Sequence, residues 1–220
     1  MPLIFRPFRC EDLIRLGRDN DGGYLVNRED VIKTSKLMSF GIGDDCSFEE
    51  DFIKINHCPV DAYDGTLTAE QERSMRSRFF QPPNRLTVKN IGNKEDQASV
   101  KEMSFDKVFL KCDIEDSEYH ILDDIIRISH QLTGLIIEFH QIQEPSRFNA
   151  LTNFIGKVKL DLVHTHINNW AYMISGSTYI PDVIELTFTS SSNVSWEPVQ
   201  LPHAFDMPNC ADRDEFAIRF

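Results

Sequence analysis

"LMSFGIGDDCSFEEDFIKIN", Leu37–Asn56, joins an apolar run, a turn with two glycines and a segment of helical periodicity. The run "LMSFG" (37–41) reads as a strand buried on both faces, since it does not alternate strictly. "SFEEDFIKIN" (47–56) reads as a helix, with Ser47 as N-cap and Glu50 three residues on, a capping-box pattern. Strand, glycine turn and helix make the first half of a βαβ unit. Gly41 and Gly43 let the backbone approach a ligand closely. The dinucleotide fingerprint needs a third glycine where Cys46 stands, which counts against a nicotinamide-dependent dehydrogenase.

The same alternation continues outward. Val60–Tyr63, Leu86–Asn90, Val108–Cys112, Leu135–Phe139, Leu160–Thr165 and Val183–Phe188 are further strand candidates. Residues 116–132 and 146–158 have helical spacing. Strands alternating with helices predict a mostly parallel sheet whose strand C-termini share one edge. Ligands of such sheets bind outside those ends. Polar residues just after each apolar run are therefore the site candidates.

Asp64, with Asp61 as its alternative, follows the second of these strands and can accept hydrogen bonds from ribose hydroxyls. Asn90 and Gly92 follow the third. "FLKCDIEDSEYHIL" (109–122) then sets Asp113, Glu115, Asp116 and Glu118 directly behind an apolar run. Glu138 and His140 follow the next strand, and His164, His166, Asn168 and Asn169 the one after. Upstream, "RLGRDNDGGYLVNRED" (15–30) offers Asp19 and Asp21 before glycines. Gly23 and Tyr24 stand where a calcium loop needs a ligand and a glycine, so a turn into a short strand is the reading.

Composition bounds the rest. The chain has 220 residues, 41% of them apolar, and a net charge of −12. That fits one domain over 1–220, with an N-terminal segment to residue 35 and a C-terminal extension from 192. The acidic surface disfavours nucleic acid and anionic membranes as partners. "RSMRSRFF" (73–80) reads as a solvated helix face. No stretch has the roughly 18 to 20 consecutive apolar residues of a membrane span, and no signal peptide is evident. Five dispersed cysteines fit free thiols in a reducing, cytoplasmic setting. Oligomeric state is not legible.

Taken in order, "RLGRDNDGGYLV", "LMSFGIGDDCSFEEDF", "DAYD", "FLKCDIEDSEYHIL", "LIIEFH", "VHTHINNW" and "PDVIELTF" resemble FkbM-type S-adenosylmethionine-dependent methyltransferases. The resemblance is to the branch that opens with Arg-x-Gly and Asp-Gly-Gly-Tyr, and it runs from about Arg15 to about Arg213. It implies a class I methyltransferase fold: a Rossmann-like α/β sandwich with a seven-stranded, mostly parallel sheet and an antiparallel last strand. It implies S-adenosylmethionine as cofactor. Gly41 and Gly43 would face its methionine part, Asp64 the ribose, Asn90 the adenine, and Asp113 the sulfonium. One departure is Asp116, which stands where the family has glycine. It either caps the next helix or alters the site.

The expected activity is O-methylation of a small molecule or glycan. His140 and His166 are the candidate bases, with Asp113 as alternative or as the orienting group. A divalent ion held by Asp113, Glu138 and His140 is the other arrangement, within a wider O/N donor set that includes Glu115, His164 and His166. A non-catalytic protein of the same fold is the competing class. Acceptor contacts are expected from 66–84, 141–150, 168–180 and 192–220.

Overall fold

The computed structural model describes residues 1–175 and 178–220. A two-stranded antiparallel hairpin, β1 (Leu13–Leu16) and β2 (Tyr24–Asn27), precedes the main sheet. Helix α1 (Arg28–Lys33) leads into β3 (Lys36–Phe40), followed by α2 (Ser47–Asn56), β4 (Val60–Tyr63), α3 (Ala69–Arg78) and β5 (Arg85–Thr87). The second half holds β6 (Val108–Cys112), α4 (Leu122–Ile128), β7 (Leu132–Phe139), α5 (Pro145–Ile155), β8 (Asp161–Ser175) and β9 (Thr178–Thr189).

The seven-stranded sheet has the order β5-β4-β3-β6-β7-β9-β8. β3 pairs parallel with β4 and β6, β6 parallel with β7, and β9 antiparallel with both β7 and β8. This is the class I methyltransferase arrangement, with its single reversed strand. Strand order changes direction between β3 and β6, so the switch point lies there.

Two apolar layers sandwich the sheet. Phe40, Leu110, Ile137, Phe139 and Phe188 pack towards α4 and α5, while Leu37, Phe109 and Ile136 pack with Phe48 and Phe52 of α2. The parity explains this: successive strand side chains face opposite sides.

Local differences have local causes. Ser47 is the first helical residue rather than the cap, and no capping box forms. Asp45 accepts from the Ser47 N–H and hydroxyl at 3.1 and 2.7 Å, and the Ser47 hydroxyl accepts from the Arg18 N–H. The helix expected over 116–132 is broken. Two 3-10 turns, Glu118–His120 and Ser129–Gln131, flank α4, and Ile121 interrupts at φ −121°. Residues 73–78 of the run lie on α3, where Arg73 is exposed while Arg76 binds Glu72 and the Leu86 carbonyl; Met75 on the helix and Phe79 and Phe80 beyond it are buried, so the run is not wholly a solvated face. β8 continues ten residues past Thr165 because its pairing with β9 persists. His164 and His166 are therefore mid-strand, not at a strand end. Of the expected acceptor segment 168–180, residues 176 and 177 lie outside the described residues.

Candidate active site

A cleft of about 270 Å³ opens at the C-terminal ends of β3, β4, β5 and β6. Gly41, Gly43, Asp64, Asn90 and Asp113 all line it. The turn after β3 explains why glycine stands there. Gly41 has φ +74°, and a β-carbon on it would collide with the Asp113 carbonyl. Gly43 has φ +53° and nothing within 4 Å of where a β-carbon would be, so it leaves the cleft open. Adjacent strand ends are tied by Gly41 N–H to Tyr63 O and Asp113 N–H to Phe40 O, both 2.9 Å.

Asp64 braces this turn. One carboxylate oxygen accepts from the Ile42 and Gly43 N–H groups at 3.0 and 2.8 Å. The other accepts from the Thr66 N–H and hydroxyl at 2.7 and 2.6 Å. Burial raises its pKa, but these donors outweigh burial and hold it below the usual range, so the group stays ionised. Four donors fill the roughly four lone-pair directions of a carboxylate. A ribose hydroxyl at Asp64 must share or replace one of them. Asp64→Ala is expected to cost about 2–4 kcal/mol of stability in denaturant titrations. It should also weaken cofactor binding by about tenfold or more in calorimetry. Undiminished affinity would reject a ribose role.

His140 sits behind the Asp113 side of the cleft. Glu118 is fully buried, and one of its oxygens accepts from the His140 N–H at 2.7 Å and faces Nδ1 at 3.3 Å. The Tyr119 hydroxyl donates to the His140 carbonyl. Nε2 is left facing Glu115 at 3.5 Å and Glu138 at 3.9 Å. Burial lowers the imidazole pKa, but Glu118, Asp113 and Glu115 together raise it above the ordinary value. Glu118 thus orients the histidine.

Tyr24 closes the floor. Its hydroxyl lies 3.1 Å from Asp113 Oδ2 and 3.4 Å from Glu138 Oε2. Asn168 donates to the other Glu138 oxygen at 3.2 Å. Burial, then Asp113 and Glu185, push the Glu138 carboxyl well up. Burial also raises Asp113, against the pull of Lys111 and His140. Like charges this close do not both ionise readily, and the upward push is the stronger on Glu138.

The ligand set for a cation differs from the expected one. Asp113, Glu115 and His140 each offer an atom within 4.8 Å of the others. Glu138 is engaged by Tyr24 and Asn168 and does not complete that set. Mixed oxygen and nitrogen donors suit a divalent ion, so these three residues are the ones that would hold it.

His166 does not join the cleft. Its ring nitrogens meet Glu185 at 3.2 Å and Glu215 at 3.1 Å, and it is buried. Burial lowers its pKa, but Glu185 and Glu215 outweigh that and lift it to about 10. A side chain that holds its proton this firmly is not a base at neutral pH. It belongs instead to a latch for the C-terminal segment. His164 pairs with Asp206 at 3.0 Å, and the Asn169 side chain accepts from Cys210 N–H at 2.7 Å. Asn209 bridges Glu185 and Asp21 at 2.7 and 3.1 Å.

Asp116 caps no helix. It adopts φ +79°, the left-handed region that glycine favours, and its carboxylate pairs with Arg147 of α5. Glu115 beside it has φ +48°. The backbone keeps the glycine-like turn, and the ion pair offsets part of its cost. Two residues of the site carry no role in the sequence reading, Tyr24 and Lys111, and Glu118 is named there without one. Only Lys111 carried a signal, as a lysine inside the apolar run "VFLKC".

Strand order defines the class, a methyltransferase-type α/β fold, and the cleft lies at its switch point. Neither a family profile nor a curated protein matches the sequence. Some solved structures are similar to it over about three quarters of this chain. A human methyltransferase 10 domain containing protein is 12% identical over 74% of this chain and 76% of that one, with a TM-score of 0.45. The precorrin-6y C5,15-methyltransferase of Geobacter metallireducens is 11% identical, covering 74% and 87%, also at 0.45. The fibrillarin pre-rRNA processing protein of Methanococcus jannaschii is 9% identical, covering 73% and 68%, at 0.44.

Proposed function

We propose that this protein is an S-adenosylmethionine-dependent methyltransferase of the FkbM type, acting on a hydroxyl of a small molecule or glycan. The observation that carries the reading is the convergence of Gly41, Gly43, Asp64, Asn90 and Asp113 on one cleft at the switch point. The cleft crosses the ends of four strands, roughly 14 Å at the usual strand spacing. That suits an elongated nucleoside ligand. Gly43 leaves room for it, and Asp64, Asn90 and Asp113 would hold it.

When bound, the cofactor supplies a methyl group already activated on a sulfonium. The chain's own residues then have two tasks: to align the acceptor and to remove its proton. His140 Nε2 is the base in this reading. Glu118 fixes the ring by holding Nδ1, so the free lone pair is on Nε2. Asp113 faces both cleft and histidine, and the hydroxyl of Tyr24 holds it in place. Nucleic acid and membrane are not among the proposed partners, given the acidic surface. No helix among the described residues is long and apolar enough to cross a membrane. The free cysteines support a reducing, cytoplasmic setting.

Nε2 has one lone pair, so His140 serves as base or as metal ligand, not both. The base reading expects transfer to survive exhaustive chelation. Loss that added manganese or magnesium restores would move His140, with Asp113 and Glu115, to the metal role. The overall test pairs thermal shifts with S-adenosylmethionine and NAD with labelled-methyl transfer to sugars, polyketides, lipids and RNA. Stabilisation by NAD alone would reject the reading. Cofactor binding without transfer to any acceptor would favour a non-catalytic protein.

A further inference from the structure

Lysine is almost never fully buried unless paired. Lys111 on β6 is only 6% exposed. Its ammonium donates to the Gly41 carbonyl at 2.9 Å and lies 5.5 Å from the centre of the Tyr24 ring. An ammonium has three hydrogens to give. No carboxylate among the described residues lies within ion-pair distance of it, and Gly41 is its one hydrogen-bond partner there. Glu49, buried on α2, is near enough to feel its charge but is bonded to the Ser39 hydroxyl. Taking a cation out of water at such a position is costly without an anion to meet it.

Lys111 also lines the cleft, at the opposite end from Asn90 and beside Tyr24 and Asp113. The other cations of the cleft are committed or misplaced. Arg18 is half-exposed, donates to the Asp21 carbonyl and faces Asp45 at 3.6 Å. Lys89 is exposed and stands next to Asn90, at the β5 end. The remaining charged lining is acidic: Asp21, Asp44, Asp45, Glu49, Asp64, Asp113 and Glu115. One buried cation in an otherwise acidic cleft suits a ligand that carries positive charge and a single anionic group close together. An amino acid carrying a sulfonium has that pattern.

We propose that Lys111 is the anion anchor of the cleft and holds the α-carboxylate of the cofactor's amino-acid moiety. The inference rests on the cofactor reading above, with the nucleoside towards Asn90, and adds a specific partner for the amino-acid end at Lys111 beside Tyr24. The Gly41 carbonyl keeps the ammonium in place, and the Tyr24 ring shields it from water. The α-ammonium then falls among the acidic groups around Asp21 and Asp113.

The test is calorimetry with two ligands and two proteins. S-adenosylhomocysteine carries the amino-acid part, and 5′-methylthioadenosine lacks it. The parent should bind both. Lys111→Met, which keeps an unbranched chain of similar length, should bind S-adenosylhomocysteine about 30-fold or more weakly while changing little towards methylthioadenosine. Lys111→Gln is the second variant, should the methionine protein not fold. An equal loss for both ligands, or no loss for either, overturns the anchor and leaves the cofactor reading standing. A parent that binds neither ligand overturns both.

Discussion

Replacing His140 by glutamine is expected to lower methyl transfer by about two to four orders of magnitude, the usual worth of a positioned base. Cofactor affinity should stay within about threefold, since a loss confined to kcat marks a group used only in the transition state. The more telling variant is Glu118→Gln. Glu118 holds the His140 N–H and faces Nδ1, and its charge heads the influences that lift the imidazole pKa against burial. In the parent, the rising limb of the pH–rate profile should lie above pH 6.5, because the base works only once it has lost its proton. Neutralising Glu118 removes a lifting charge, so the limb should move to lower pH while the plateau falls. A purely structural role for Glu118 would lower the plateau and leave the limb where it was. The measurement is kcat against pH for the three proteins, using whichever acceptor the transfer panel finds.

The parts of this site differ in how far the sequence reveals them. β4, β6 and α2 occupy the residues that the apolar pattern marks, because buried strands and amphipathic helices are read from the same burial that stabilises them. The glycine turn and Asp64 are legible for a related reason: close backbone approach and a strand-end acid have fixed places in this topology. The reversal of β9 is not legible, since a strand's direction leaves no trace in its periodicity; only the family resemblance implied it. Glu118 and His166 show the deeper limit. Both are titratable residues beside apolar runs, and the sequence gives no reason to call one a helix-start charge and the other a base. Their roles are set in the fold by partners far along the chain. Glu118 meets His140, 22 residues on, and His166 meets Glu215, 49 residues on. Asp116 is intermediate. Its place opposite a family glycine raises the question, but only Arg147 answers it.

His166 should govern stability rather than chemistry, and its effect should depend on pH. The folded-state pKa is lifted to about 10 by Glu185 and Glu215, with Asp206 adding to them, whereas the unfolded chain should titrate near the ordinary value of about 6.5. Below about pH 6.5 both states carry the proton, and the ion pairs contribute fully. Between about 6.5 and 10 the unfolded state releases its proton first, so the contribution fades by about 1.4 kcal/mol per pH unit. The total at stake is about 5 kcal/mol, an upper figure, because the same burial that strengthens the pairs also penalises their charges. His166→Gln should therefore destabilise the protein by about 3–5 kcal/mol at pH 6, since Glu185 would be left buried without its partner. At pH 10 the variant and parent should nearly coincide. Urea midpoints of both proteins across this range give the comparison, and a difference that does not shrink with pH would sink the assignment. The loss has a location as well as a size. Glu215 and Asp206 belong to the C-terminal segment, and Asn209 joins that segment to Glu185 and to Asp21 of the N-terminal turn. Limited proteolysis of His166→Gln should cut first within 203–215, before the sheet opens, because a latch that loses this cation leaves Glu185 and Glu215 without the partner that joins them.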